Sequence, residues 1–287
     1  MTDRQPDVTE QIAANALTSS AHSCTYCLFD ATTGANGTAV AVCIGPRYFL
    51  ATAAHVIPES HEFRLVLRDS VDGICDFSAR HVHPTIDVGL LELRSVDVPR
   101  LGNTFLPAER LQTHADQQTE YDVTVVGFPH ELMRQVGELP LSADETLSLR
   151  MLSAFTFHSV ALPVSEWPAI GTTRTPALGI DVFIDFDPED SLSFTTARTA
   201  GDVPRQTNGQ APLPAGISGG GVWLLRSTQA GAIWHPAPLL HAIQFGFNPD
   251  GWLRAATIDS WLDVVDDNYP DLRPEISKIR GESTGQV

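Results

Sequence analysis

The chain has 287 residues, enough to bury a core without disulfide or metal staples. Hydrophobic residues make up 43% and charged residues 18%, with 21 Gly and 20 Pro, which excludes disorder as the main state. Eighteen basic residues against 35 acidic ones leave a formal net charge of −17, a field that opposes nucleic-acid backbones and anionic lipid, so neither is an expected partner.

Taken in chain order, residues 1–7 carry no apolar segment and no later stretch has the ~18 apolar residues of a membrane span, so a cytoplasmic location is expected. Asp7 and Glu10 stand at capping-box spacing before Ile12, Ala13, Ala16 and Leu17, predicting a short helix within an N-terminal extension over 1–22. Short β-like runs follow at Thr25–Phe29, Thr38–Ile44, Tyr48–Ala51, Phe63–Leu67, Ala79–Val82 and Val88–Leu93. A polar stretch over Pro99–Glu120 reads as a linker closing a first unit at 23–120. A second series, at Tyr121–Gly127, Thr146–Phe157, Asp181–Phe186, Gly221–Leu225, Leu239–Phe245 and Trp252–Ala255, belongs to a unit over 121–266. Ile258, Trp261, Leu262 and Val265 share one helical face behind Thr257, a candidate cap. The polar, proline-interrupted segment 267–287 is expected to fray. The sum is an all-β chain of two six-stranded antiparallel barrels with short N- and C-terminal helices.

The segment Gly216-Ile217-Ser218-Gly219-Gly220-Gly221 is the most informative chemically. A hydroxyl attacks a carbonyl when it is exposed at a tight turn beside a base, with backbone N–H groups converging on the developing oxyanion. Glycines on both sides permit that turn. An α/β-hydrolase elbow is excluded by chain order: it needs an acidic residue and then a histidine after the serine, and none of the residues between Ser218 and His241, the last histidine, is Asp or Glu. A helix starting at three glycines would also lose about 1 kcal/mol per glycine relative to Ala. Upstream, Tyr48-Phe49-Leu50-Ala51-Thr52-Ala53-Ala54-His55 sets an imidazole at the end of an apolar strand, and Asp87 heads the apolar run Val88-Gly89-Leu90-Leu91. A carboxylate buried there needs a donor, and the His55 ring supplies one.

With Thr52-Ala53-Ala54-His55, Asp87-Val88-Gly89-Leu90-Leu91 and Gly216-Ile217-Ser218-Gly219-Gly220 in the order His, Asp, Ser, the chain resembles the chymotrypsin-like serine peptidases. Val125-Val126-Gly127-Phe128-Pro129 resembles the corresponding segment of bacterial HtrA-type members. The resemblance implies a serine endopeptidase with Ser218 as nucleophile, His55 as general base and then acid, and Asp87 holding the imidazole. It implies an oxyanion hole from the N–H groups of Gly216 and Ser218. Pro212 stands where trypsin-like members carry the acidic base of the substrate pocket, so with Leu213 and the wall Gln244-Phe245-Gly246 the pocket is expected to take a small or apolar side chain. The span between Pro129 and Gly216 is long for the bacterial branch, implying an insertion over about 131–208 that covers the cleft or binds an activating protein partner. A catalytically vestigial binding module of the same fold is the alternative.

No cofactor or metal is expected, and the partner is a protein or peptide substrate. Cys24-x-x-Cys27 has no second pair at zinc-ligand spacing, and Cys24, Cys27, Cys43 and Cys75 read as free thiols in a reducing compartment. His81 and His83 share a strand face without a third ligand and read as surface residues. Asp185–Asp190 lacks the register of a calcium loop and reads as a solvated acidic turn.

Overall fold

Runs rich in β-branched and aromatic residues, punctuated by Gly, Pro, Asn and Asp, form two sheets. The computed structural model describes residues 20–67, 70–74, 76–102, 104–140, 146–168, 174–187, 192–197, 205–206, 211–224, 238–248 and 251–282. The first sheet contains β1 (Thr25–Asp30), β2 (Asn36–Ile44), β3 (Arg47–Thr52), β4 (Phe63–Leu67), β5 (Ser70–Ile74), β6 (Phe77–Val82) and β7 (Gly89–Leu93). Its order is β5-β4-β1-β2-β3-β7-β6, with β8 (Leu106–Pro107) added in parallel to β2. The two outer strands, β5 and β6, are consecutive in the chain, so the sheet curls back on itself.

The second sheet contains β9 (Tyr121–Gly127), β10 (Met133–Pro140), β11 (Thr146–Ala161), β12 (Asp181–Asp185), β13 (Leu192–Ala197), β14 (Arg205–Gln206), β15 (Gly221–Leu224), β16 (Leu239–Asn248) and β17 (Trp252–Thr257). The path β12-β17-β16-β15-β9-β11 closes through the β11–β12 pairing, making a six-stranded barrel. One closed barrel and one curled half-barrel sheet, with few helices, constitute the expected two-barrel architecture.

Strand periodicity distributes the core. Along β2, Ala39 and Ala41 fill the inside of the first sheet with Leu50 and Leu91, while Val40, Val42 and Ile44 face the other way, onto the second barrel and the C-terminal helix. Burial on both faces explains why β2 reads as a nearly continuous apolar run. Val123, Val125, Phe155, Phe157, Val182, Val222 and Leu253 fill the second barrel, and Val126 turns to the interface.

Several expectations change. Within 131–208, β11 and β12 are barrel staves rather than insertion, since Phe155, Phe157, Val182 and Ile184 are core residues; β10, β13 and β14 are the additional strands paired outside the six-stave path. The stretch 99–120 is no free linker, because β8 pairs with β2 and Leu111 bridges to Leu240 of the second barrel. Thr257 occupies the N-cap position of helix Ile258–Asn268 without capping it; its hydroxyl donates to the Gly179 carbonyl instead. Over residues 267–282 the segment expected to fray is structured, and residues 283–287 lie outside the described residues. Helix Arg273–Ile279 follows a 3₁₀ turn at Pro270–Leu272, and Tyr269, Leu272 and Ile276 are buried at spacings the polar average conceals. His81 is not simply at the surface, since its ring packs edge-on against Tyr269.

The helix predicted before residue 20 and Cys75 lie outside the described residues, which begin with a helical turn at residues 20–23. Cys24 and Cys27 belong to different core clusters. No described helix is long and apolar enough to cross a membrane.

Candidate active site

The chain leaves β3 at Thr52 and turns through a 3₁₀ segment, Ala54–Val56, which presents His55 with its side chain half exposed. Gly37 leaves room for this turn: a Cβ there would sit 2.4 Å from Val56 Cγ1, so a side chain at 37 would force Val56 to move. Asp87 sits two residues before β7, between buried Ile86 and Val88. The turn ahead of it is fixed by His83, whose Nδ1 accepts the N–H groups of Thr85 and Ile86 at 3.2 and 3.0 Å.

His55 and Asp87 meet at two points. The His55 backbone N–H donates to Asp87 Oδ1 at 2.9 Å, and ring Nδ1 lies 2.7 Å from Oδ2. The double contact fixes both the position and the rotation of the carboxylate. A neutral imidazole that donates through Nδ1 carries its lone pair on Nε2, the tautomer a general base requires.

Ser218 is half-buried in the loop leading into β15. Gly216 and Gly219 have φ of +92° and +89°, the left-handed region that favours glycine. Gly219 admits no side chain for a second reason, because a Cβ would stand 1.9 Å from the Thr38 carbonyl oxygen and 2.2 Å from Thr52 Oγ1. The residue after Ser218 is thus pressed against the end of β3, three positions before His55. The Ser218 hydroxyl forms no hydrogen bond with the His55 ring among the described residues.

The loop is clamped from several sides. His130 N–H donates to the Ala215 carbonyl at 2.7 Å. In a trans peptide the carbonyl and the following N–H point in opposite directions, so this bond turns the Gly216 N–H away from His130. Glu131 Oε2 accepts the Leu213 N–H at 3.1 Å, and Gly219 N–H donates to the Gln244 carbonyl at 2.7 Å. Neither the Gly216 nor the Ser218 N–H reaches an acceptor among the described residues. Two such donors flanking a hydroxyl are suited to an oxygen that gains negative charge.

The predicted pocket residues divide. Leu213 is 47% exposed and Pro212 half-buried at the loop's entry. Gln244 is fully buried, its side-chain amide donates to the Gly246 carbonyl at 2.9 Å, and its backbone N–H and C=O are bonded to Gly220 and Gly219, so it anchors the loop rather than lining a pocket with its side chain. Phe245 is backed by Arg254, whose guanidinium lies 5.4 Å from the ring centroid. Arg254 is held by Asp181 Oδ1 at 2.8 Å. Asn36 Nδ2 donates to the Phe128 carbonyl at 2.6 Å and its Oδ1 lies 2.8 Å from His130 Nδ1; no sequence motif marks Thr38, Asn36, His130, Glu131 or Arg254, whose contacts are to backbone or to partners distant in the chain. No group of three or more metal-ligating side chains gathers among the described residues.

No protein-family model matches the chain, and no curated protein does. Among solved structures, it is similar to an inactive form of Rv3671c from M. tuberculosis H37Rv, at 15% identity over 100% of this chain and 99% of that one, with a TM-score of 0.41. It is also similar to the HtrA-type protease AlgW with tripeptide, at 17% identity over 89% of this chain and 62% of that one, TM-score 0.48. Deg5 matches at 10% identity over 93% and 99% of the two chains, TM-score 0.45.

Proposed function

We propose that the chain is a serine endopeptidase in which Ser218 is the nucleophile, His55 the general base and acid, and Asp87 the group that orients the imidazole. The observation that carries this reading is the two-point contact of His55 with Asp87 beside a glycine-enclosed serine loop whose Gly216 and Ser218 N–H groups are without internal acceptors.

In this reading Ser218 Oγ attacks the carbonyl carbon of a peptide as its proton passes to His55 Nε2. Negative charge gathers on the carbonyl oxygen, where the Gly216 and Ser218 N–H groups receive it, each contributing about 3–4 kcal/mol. Asp87 stays ionised and stabilises the imidazolium. The imidazolium then protonates the leaving amine, the C–N bond breaks, and an acyl-Ser218 ester remains. Water adds to the ester with His55 as base, and the acid product leaves as Oγ regains its proton. The substrate is an extended stretch of peptide or protein lying along Gln244-Phe245-Gly246, with a small or apolar side chain directed toward Pro212 and Leu213. Segments within 131–208 that lie outside the barrel staves would hold any latency relieved by a protein partner.

One observation favours a second reading, a binding module that has kept the fold: the Ser218 hydroxyl lacks a hydrogen bond to His55. In serine hydrolases that bond tightens once substrate is bound, and turnover separates the two readings. Hydrolysis of a denatured protein, followed by appearance of new N-termini, should fall on the order of 10⁴-fold in Asp87→Asn and at least as far in Ser218→Ala. Turnover equal in wild type and Ser218→Ala, or absent from all three, would overturn the endopeptidase.

A further inference from the structure

We infer that Thr38 is a positioning residue that sets the nucleophile loop against the His55 segment, an assignment that rests on Ser218 being the nucleophile.

The topology singles this residue out. Pairing between β2 and β3 ends at Val40 opposite Ala51, so β2 runs on beyond the point where β3 turns off toward His55. In an extended strand the N–H and C=O of one residue point to the same side. For Thr38 that side is the one β3 has vacated. Its N–H donates to the Ser218 carbonyl at 2.8 Å, and its carbonyl accepts the Thr52 hydroxyl at 2.7 Å. The nucleophile's own peptide therefore takes the place in the ladder that β3 gave up, and the residue that releases β3 is tied to the same point.

The side chain completes the arrangement. Thr38 Oγ1 donates to the Gly216 carbonyl at 3.0 Å and accepts the Phe128 N–H at 3.0 Å. A hydroxyl has one proton and two lone pairs, so a single Oγ1 joins the nucleophile loop to the segment leaving β9. Gly216 and Ser218 are thus held at their carbonyls by one residue. Their N–H groups face no acceptor among the described residues. Thr38 is fully buried, and the absence of a side chain on Gly219 lets the loop seat directly on its carbonyl oxygen. Thr38 does not reach the reacting atoms; it orients the groups that do.

Valine is close to threonine in shape but lacks the hydroxyl, and Thr38→Ser keeps the hydroxyl. In Thr38→Val, kcat for a peptide substrate should fall on the order of 10²-fold with KM unchanged, and Thr38→Ser should restore most of it. Amide hydrogen exchange should show lost protection at Phe128 in Thr38→Val alone. Wild-type kcat in a folded Thr38→Val protein, or a loss confined to KM, would overturn the assignment. Wild-type protein that hydrolyses nothing would refute the endopeptidase reading instead, and the Phe128 amide would then decide the Thr38 contact by itself: unchanged protection refutes it. Should Thr38→Val not fold, a Thr38→Ser variant with impaired kcat and normal Phe128 protection would equally contradict the role given to the hydroxyl.

Discussion

Gly219 shows how much of the candidate site depends on one absent side chain. A methyl group there would meet a backbone carbonyl at 1.9 Å, and a carbonyl inside a paired strand cannot move aside as a flexible side chain can. Gly219→Ala should therefore cost about 2–4 kcal/mol of stability, combining overpacking with left-handed backbone strain, and should disable Ser218 even at temperatures where the fold survives. Thermal unfolding read alongside hydrolysis checks both, and an alanine variant with wild-type melting and activity would show that the loop can shift at no cost. The His55–Asp87 contact was legible in the sequence because each residue stands among small or apolar neighbours at a strand end, and the Ser218 turn because glycines flank it. Thr38 was not. Its role resides in one hydroxyl and two backbone atoms whose partners lie 14 to 180 positions away, and no local pattern records such a connection. Gln244 was only half legible: its place beside the loop followed from the strand, but the inward turn of its amide did not.

Among elements, those buried on two faces were the most legible. β2 carries an unbroken apolar run over Ala39–Ile44, and β9 is buried from Val123 onward although Thr124 interrupts its valines; both observed strands contain the expected ones. β8, a two-residue strand defined by its partner, has no pattern of its own. The C-terminal segment was obscured by its charge, yet the charges are anchored. Arg47 bonds Glu92 at 2.8 Å and Asp271 at 3.1 Å while lying over the Tyr269 ring, and Arg280 reaches Asp259 and Asp263 at 2.7 and 2.5 Å. The apolar contribution is larger than these part-exposed pairs, since Leu272 and Ile276 join the core shared by both sheets. Leu272→Ala should lower stability by about 2–4 kcal/mol, measured by denaturant unfolding. A change under about 0.5 kcal/mol, the size typical of surface substitutions, would return this segment to the status of a loose tail. The turn after β1 makes a subtler prediction. Burial raises the Asp30 carboxyl, but hydrogen bonds from Thr33, Thr32 and His61 together hold it below its ordinary value. Its stabilisation is therefore complete above the ordinary carboxylate range and lost as pH falls through the lowered value. The melting-temperature gap between wild type and Asp30→Asn should narrow in acid, and a gap that widened would reverse the sign.

Over the whole molecule, the two-barrel plan was the most legible feature, because alternating runs with no intervening helices leave few architectures open. The joint between the barrels was not, since it is made of faces that the strands cover only once assembled. Two histidines on strands of the second barrel are shifted by burial. His158, beside Thr124 across β9 and β11, is pushed down to about 4 by burial, and burial also lowers His241. A histidine held neutral in the fold but free to protonate when unfolded adds stability above about pH 6.5 that drains away toward pH 4. The loss from His158 is on the order of 3 kcal/mol across that interval, and a His158→Gln variant should show a flatter decline in denaturant midpoint; parallel declines would contradict the burial argument. The central claim concerns Ser218, and its most direct measurement is intact-mass and peptide mapping after treatment with a fluorophosphonate, which reacts only with a hydroxyl activated by a neighbouring base. A single adduct on Ser218, absent from Ser218→Ala and strongly slowed in Asp87→Asn, is the predicted result; an unmodified Ser218 in wild-type protein, or an adduct that persists in Ser218→Ala, would contradict it.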